Sequence, residues 1–332
     1  MKDKLIQLVK GKNVQLCGHW DADGVTSAAL IYHLIKPYCL KLKTLTKGKP
    51  FQIEPGDIYD ETEIIICTDI SPSLNLSSEK IVYIDHHPYH FADKFALTVH
   101  DERAQSTSLL IYETFFHNDN NPYYIFLALL GYFGDGGNRE GIPEHVYLKA
   151  KQLIPDMMHL NITSNSEFLE IERYVSALNT GKRMHWSGDV PLELLKSLDT
   201  YEPFVNNMHP LARELEHYKI LLREAYEQEF YIESLGNLDI IILSDKRNIQ
   251  GVIAARYMTT KPIMVINTYF KDEVIGSLRV PDTLNFDAGK FLEQFSSKLK
   301  TFVGGGHEKA AGFTVAQNEF QQFLEFLKTQ TL

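Results

Sequence analysis

Acidic and histidine residues stand at the ends of successive short apolar runs, and this placement restricts the fold more than any other feature of the chain. The apolar runs at 14–17, 64–67 and 81–84, and a longer one at 126–133, lead into His19-Trp20-Asp21-Ala22-Asp23-Gly24, Asp69, Asp85-His86-His87 and Asp135. In an open α/β sheet the carboxyl ends of parallel strands line up along one edge, where ligands bind. Four separate segments would then deliver carboxylates and imidazoles to one place, which is the donor set of a metal site.

The remaining pattern agrees with such a sheet. Residues 14–18, 64–67 and 81–84 read as buried strands, being short apolar runs bounded by polar or turn residues. Helices are expected at 25–35, at 106–116 with Ser106 as N-cap, and at 125–133 leading to Asp135. Alternating elements of this kind make a parallel sheet covered by helices. Residues 155–210 mix helical segments with Asn, Ser, Gly and Pro, and 211–232 read as a long charged helix. Strand signals return at 239–243, 263–268 and 274–280, with helices at 250–258, 286–299 and 319–327. The expected fold is α/β: an N-terminal parallel-sheet domain (1–154), a helical connector (155–235) and a smaller C-terminal α/β domain (236–332).

Composition excludes several classes. A hydrophobic content of 44% and a charged content of 23% are those of a globular protein. No apolar run approaches the roughly 18 residues of a membrane span, so no membrane association is expected. The start, Met1-Lys2-Asp3-Lys4-Leu5, lacks the apolar core of a signal peptide, and a cytoplasmic location is the expectation. Cys17, Cys39 and Cys67 form no metal-type spacing, and their odd number argues against a disulfide framework. A net charge of −10 disfavours tight, nonspecific duplex binding but leaves room for a short or single-stranded substrate. The basic stretch containing Lys41, Lys43, Lys47 and Lys49 reads as a solvated loop.

The run His19-x-Asp21-x-Asp23-Gly24 puts alternate side chains on one side of an extended segment, and Gly24 lets the backbone turn into the next helix. By itself the run reads first as a polar loop capping a helix. In Asp85-His86-His87 adjacent imidazoles point in different directions, so one can bind metal while the other faces substrate. Asp69 alone is also a common turn residue before Ser71-Pro72. The joint pattern is what singles out a site. Gly304-Gly305-Gly306 is either a flexible turn or a nest of backbone N–H groups for a phosphate or a terminal hydroxyl.

These motifs resemble those of the DHH phosphoesterase family, whose name-giving residues stand here as Asp85-His86-His87. The chain is similar to RecJ-like single-strand exonucleases, to NrnA-type oligoribonucleases and to cyclic-dinucleotide hydrolases of that family. The family's second domain carries a glycine-rich motif ending in histidine, matched by Gly304-Gly305-Gly306-His307-Glu308-Lys309-Ala310-Ala311-Gly312. The resemblance implies two Mn²⁺ ions, with Mg²⁺ as the alternative. His19, Asp21 and Asp69 would hold one ion, and Asp23, Asp69, His86 and Asp135 the other, with Asp69 bridging. It further implies that His87 contacts the scissile phosphate or protonates the leaving oxygen, and that Arg279 clamps a phosphate. Gly304, Gly305, Gly306 and His307 would hold the strand end across a cleft between the domains. The run at 178–184 looks like the inter-domain segment of short archaeal RecJ-like proteins, making Asn179 and Arg183 candidate substrate contacts. A helix-end cap and a surface charge are the alternatives for those two, and a surface salt bridge is the alternative for Arg279.

The expected function is therefore a Mn²⁺-dependent phosphodiesterase that shortens single-stranded DNA or RNA from an end. A nanoRNase acting on dinucleotides, or a phosphoadenosine-phosphate phosphoesterase, is the alternative within hydrolases. A replisome-associated scaffold is the alternative from another class, and the acidic surface leaves room for a replication or repair protein as partner. The related inorganic pyrophosphatases are disfavoured, because they separate the first His and Asp by three residues, whereas here one residue separates His19 from Asp21.

Overall fold

The computed structural model describes residues 1–88, 95–164 and 166–330. The chain forms two compact units, Met1–Ile220 and Leu221–Leu332. In the first, strands β1 (Asn13–His19), β2 (Lys41–Lys47), β3 (Ile64–Thr68), β4 (Ile81–Asp85) and β5 (Leu97–His100) make one sheet in the order β2-β1-β3-β4-β5. Every pair is parallel. A parallel sheet covered on both faces needs strands that are apolar throughout. That is why β3 and β4, Ile-Ile-Ile-Cys-Thr and Ile-Val-Tyr-Ile-Asp, are buried at every position.

β2 corrects the sequence reading, in which its lysines marked a solvated loop. It is an edge strand with only Thr46 buried. Lysines suit such an edge because they discourage pairing with another chain. Lys41 and Lys43 pair with Glu61, and Lys47 with Asp57. β5 has four residues, too few for a periodic signal, and the sequence did not single it out.

Helix α1 (Ala22–Ile35) starts earlier than expected, because Asp21 caps it by accepting a hydrogen bond from Gly24 N at 3.2 Å. The His-x-Asp-x-Asp run is thus not extended throughout, and Asp23 belongs to the first helical turn. Gly24 lies inside the helix, where a Cβ would stand 2.3 Å from His19 O; close approach, rather than a sharp turn, requires glycine there. Helix α2 (Thr107–Ile111) is capped by Ser106 as expected, and a π-helical turn over Tyr112–Phe116 continues it. α3 (Pro122–Gly134) begins at an Asn121 cap with proline in its first turn, a favoured start. It packs on α1 and α2 as the centre of the first core.

After residue 155 come α4 (Glu172–Leu178), α5 (Thr180–His185), α6 (Asp189–Ser197) and α7 (Pro210–Tyr226). Leu178, Leu192, Leu195 and Leu215 from these helices are buried in the core of the first unit. No helix among the described residues is long and apolar enough to cross a membrane.

The second unit holds β6 (Glu233–Leu235), β7 (Leu238–Leu243), β8 (Ile263–Asn267), β9 (Glu273–Arg279), β10 (Val303–Gly306) and β11 (Ala310–Ala316), in the order β6-β7-β8-β9-β11-β10. Only β7 and β8 run parallel. Helices α8 (Gln250–Tyr257), α9 (Ala288–Ser296) and α10 (Phe320–Thr329) complete it, around a core rich in phenylalanine that includes Phe295, Phe302, Phe313 and Phe323.

Candidate metal centre

The strand order places the site. The chain steps outward from β1 to β2 and then crosses back to β3, so the direction of winding reverses between β1 and β3. A crevice opens at such a switch point, beyond the carboxyl ends of the strands. Register does the rest. Gly18 pairs with Thr68, and Thr68 with Ile84, so the following residues His19, Asp69 and Asp85 form one row along that edge. α3 ends over the same edge and delivers Asp135 as its C-cap.

The distances show how tightly these groups converge. His19 Nδ1 lies 2.9 Å from Asp21 Oδ2 and 3.7 Å from Asp69 Oδ2. His86 Nε2 lies 3.0 Å from Asp135 Oδ2 and 3.8 Å from Asp69 Oδ1. Three sets emerge, with Asp69 common to all: His19, Asp21 and Asp69; Asp23, Asp69, His86 and Asp135; and Asp69, Asp85, His86 and His87, in the last of which Asp85 is already taken up by the His86 and His87 N–H groups and the His87 ring. In each, one donor atom from every residue lies within 4.8 Å of all the others. Asp69 has φ +60°, a left-handed conformation uncommon outside glycine, and its N–H donates to Ile84 O at 3.0 Å. Strain of this kind persists where the surroundings over-determine it. Here it turns the carboxylate into the crevice, where Thr107 Oγ1 donates to it at 2.9 Å.

Asp23 is buried and faces the start of α2, whose Thr107 and Ser108 N–H groups donate to its two oxygens at 2.7 and 3.0 Å. Asp85 organises the DHH turn. Its Oδ1 accepts from His86 N at 2.7 Å, His87 N at 2.9 Å and the His87 ring at 2.8 Å. The His87 ring is left 56% exposed at the mouth of a cavity of about 320 Å³, lined also by His19, Asp21, Phe51, Asp69 and Asp135.

The electrostatics are those of acids crowded without enough counter-charge. Burial, then repulsion from Asp23, Asp21, Asp85 and Asp135, pushes the Asp69 carboxyl well above the usual range. Burial and Asp135 push Asp23 up to about 7. Burial works against ionised Asp21 as well, but Lys182 and His19 outweigh it and hold that carboxyl low. Lys182 Nζ is 3.4 Å from Asp21 Oδ2. Burial would lower His86, yet Asp135 and Asp23 prevail and push it up to about 9. His87 is raised, chiefly by its hydrogen bond to Asp85.

This donor set fits a divalent cation. Carboxylates and imidazoles with an open side suit Mn²⁺ or Mg²⁺. His86 Nδ1 is 3.1 Å from Ala104 O, a backbone anchor that orients the ring and turns Nε2 towards the carboxylates, as in metal-binding histidines. His19 Nε2 is buried and has no hydrogen-bond partner among the described residues. A cation would also relieve the repulsion that raises Asp23 and Asp69.

The other candidates are not among these donor sets. Asn179 Oδ1 accepts from Ala22 N at 3.2 Å, so its side chain caps α1. Arg183 makes no side-chain ion pair among the described residues. In the second unit Arg279 ends β9 opposite Ala310, and its Nη1 donates to Leu278 O at 3.2 Å. No carboxylate pairs with it among the described residues, and burial lowers its pKa. Gly304, Gly305 and Gly306 form neither a turn nor a nest but the edge strand β10, paired with Phe313, Gly312 and Ala311. Gly306 needs its lack of a side chain, with φ +142° and a would-be Cβ 2.7 Å from Ala310 O. The strand reverses at His307, whose N–H donates to Ala310 O at 2.9 Å and whose side chain is exposed.

Asp85, Thr107 and Lys182 bear on the site but were given no role from sequence. Asp85 carried a signal as the first residue of its motif. Thr107 and Lys182 carried none, since their partners lie 38 and 161 residues away.

Residues 13–132 match the DHH family, N-terminal domain, and residues 245–331 match the DHHA1 domain. No curated protein sequence matches the chain. The fold is similar to that of RecJ in complex with Mn²⁺ from Thermus thermophilus, at 17% identity and a TM-score of 0.68, over 99% of this chain and 54% of that one. The chain thus spans about half the length of that RecJ. It is also similar to an exonuclease RecJ bound to manganese, at 17% identity and a TM-score of 0.67, covering 99% and 93% of the two chains. An exopolyphosphatase-related protein from Bacteroides fragilis aligns at 16% identity and a TM-score of 0.52, over 99% and 96%. At these identities the likeness is one of fold. With a DHH domain followed by a DHHA1 domain, and with Asp85-His86-His87 at the edge of its parallel sheet, the chain belongs to the DHH phosphoesterase family.

Proposed function

We propose that this protein is a Mn²⁺-dependent phosphodiesterase that hydrolyses single-stranded DNA or RNA from an end. The observation that carries the proposal is that two of the donor sets, one built on His19 and Asp21 and one on Asp23, His86 and Asp135, share Asp69. His19, Asp21 and Asp69 would hold one ion, and Asp23, Asp69, His86 and Asp135 a second. Bound there, two divalent ions would lower the pKa of an attacking water and stabilise charge on the phosphate. RecJ is described in complex with Mn²⁺ and also with Mg²⁺, which supports either ion here.

The chain's own residues do the rest. Thr107 fixes one Asp69 oxygen, and the α2 N-terminus fixes Asp23, so both carboxylates are oriented before substrate arrives. Lys182 offsets charge on Asp21. Asp85 orients His87 and favours its protonated form, which suits donation of a proton to the leaving oxygen. Arg279, with no carboxylate partner among the described residues, and His307 are the candidates for phosphate and strand-end contacts, guanidinium forks being well matched to phosphate oxygens.

The test is a time course with Mn²⁺ on single strands of DNA and RNA, each labelled at either end, from dinucleotides to about 30-mers. Stepwise shortening of the long strands supports the exonuclease, and the surviving label gives its polarity. Turnover confined to the shortest oligomers replaces it with a nanoRNase. Metal binding without cleavage of any strand overturns the proposal.

A further inference from the structure

Resting on the nucleic-acid reading above, we infer that Phe51 is a nucleobase platform, so that the site takes nucleotides and discriminates against base-free phosphates. Phe51 has φ +66° and is 52% exposed. A bulky, non-glycine residue in the left-handed region is an outlier that its surroundings must enforce. An apolar ring so held would ordinarily be buried. This one lines the cavity that holds His19, Asp21, Asp69, His87 and Asp135.

Backbone and ring contacts enforce the conformation. Phe51 N donates to Gly48 O at 2.6 Å, closing a tight turn. The next two residues, Gln52 and Ile53, pair with Ser71 and Pro72, and Ser71 borders the same cavity. The ring meets Trp20 edge to face, with centroids 6.3 Å apart and planes at 80°, and lies 5.8 Å from the His19 ring. Trp20 is itself immobilised. Its ring lies against Gly48, where a Cβ would come within 2.3 Å of it, and packs 5.9 Å from Trp186. A rigid aromatic with an open side, beside groups suited to a phosphodiester, is what base stacking needs. Stacking tolerates any base because every base has a π-face.

The test measures binding of AMP and of ribose 5-phosphate by calorimetry with Mn²⁺ present, alongside turnover of the dinucleotide pApA and an abasic counterpart. Wild type is expected to favour AMP over ribose 5-phosphate by about tenfold, the scale of one aromatic stack. In Phe51→Leu that ratio should fall to near one, and in Phe51→Trp it should persist. A wild type without the preference, or with no binding of AMP, overturns the inference; so does a Phe51→Leu variant that retains it. The two readings fail separately. Base preference without hydrolysis of pApA or of any longer strand would sink the phosphodiesterase and leave the platform, whereas equal hydrolysis of intact and abasic substrates would do the reverse.

Discussion

Gly131 lies against the carboxylate of Asp23: a methyl group built on its Cα would stand 2.4 Å from Asp23 Oδ1 and 2.2 Å from Ser108 Oγ. The helix that fills the first core is thus also the wall that confines one of the proposed ligands. Gly131→Ala should destabilise the fold by about 1–3 kcal/mol, the usual effect of overpacking. It should also weaken Mn²⁺ binding by displacing Asp23, which thermal unfolding and calorimetry would register together. Unaltered metal affinity in a folded variant would separate Asp23 from the metal.

Asp69→Ala should reduce turnover by more than about a hundredfold, the upper range for groups that merely support metal ligands. It should have an opposite effect on the metal-free protein, because it deletes a buried acid whose ionisation the fold resists. The expected signature is a higher melting temperature in chelator at pH 8 and no further rise on adding Mn²⁺. Residual Mn²⁺-dependent activity near wild type would remove Asp69 from its bridging role.

The metal-free protein should lose stability as pH rises. Asp23 moves from an ordinary 3.8 to about 7, so between those values the folded state holds more protons than the unfolded one, and stability falls with pH. Raised Asp69 acts in the same direction. His86 moves from 6.5 to about 9, so the stability it contributes is complete below 6.5 and is lost as pH passes through 9. Unfolding in chelator should therefore show a lower melting temperature at pH 8.5 than at pH 5.5. Saturating Mn²⁺ should reverse the order, since ligands must shed protons to bind it.

His87→Ala should lower kcat by about 10²–10⁴-fold, the usual contribution of a positioned acid, with little change in KM. The defect should shrink on a p-nitrophenyl phosphodiester, whose leaving group needs no proton. An equal defect on both substrates would point to phosphate binding instead.

Asn179→Ala leaves the buried Ala22 N–H without its acceptor. Loss of about 1 kcal/mol of stability is expected, as for other helix caps. Chemical denaturation would measure it, and a KM for oligonucleotides that rises while stability holds would restore Asn179 as a substrate contact.

Much of this architecture is legible residue by residue. Parallel strands covered on both faces must be apolar throughout, so β1, β3 and β4 announce themselves, and whatever follows them must lie at one sheet edge. The convergence of His19, Asp69 and Asp85 follows from that local rule plus register. Ser106 reads as a cap because capping chemistry is local too. The edge strand β2 broke the rule, since one buried position in a lysine-rich run resembles a loop.

Interactions between distant segments had no local signature. Asn179 caps a helix that starts 157 residues earlier. Lys182 reaches Asp21 across 161 residues. Phe51 gains its exposed, left-handed position only because Trp20 and the Gly48 turn hold it there. The glycines at 304–306 pair as a strand, and Phe302, Phe313 and the β11 backbone leave no room for side chains at Gly304 and Gly306. Sequence by itself determined which chemistry reaches the sheet edge, because hydrophobic period and strand length are local properties. Tertiary structure decided which of those groups touch, cap or stack, because that depends on chain crossings that no short window of sequence records.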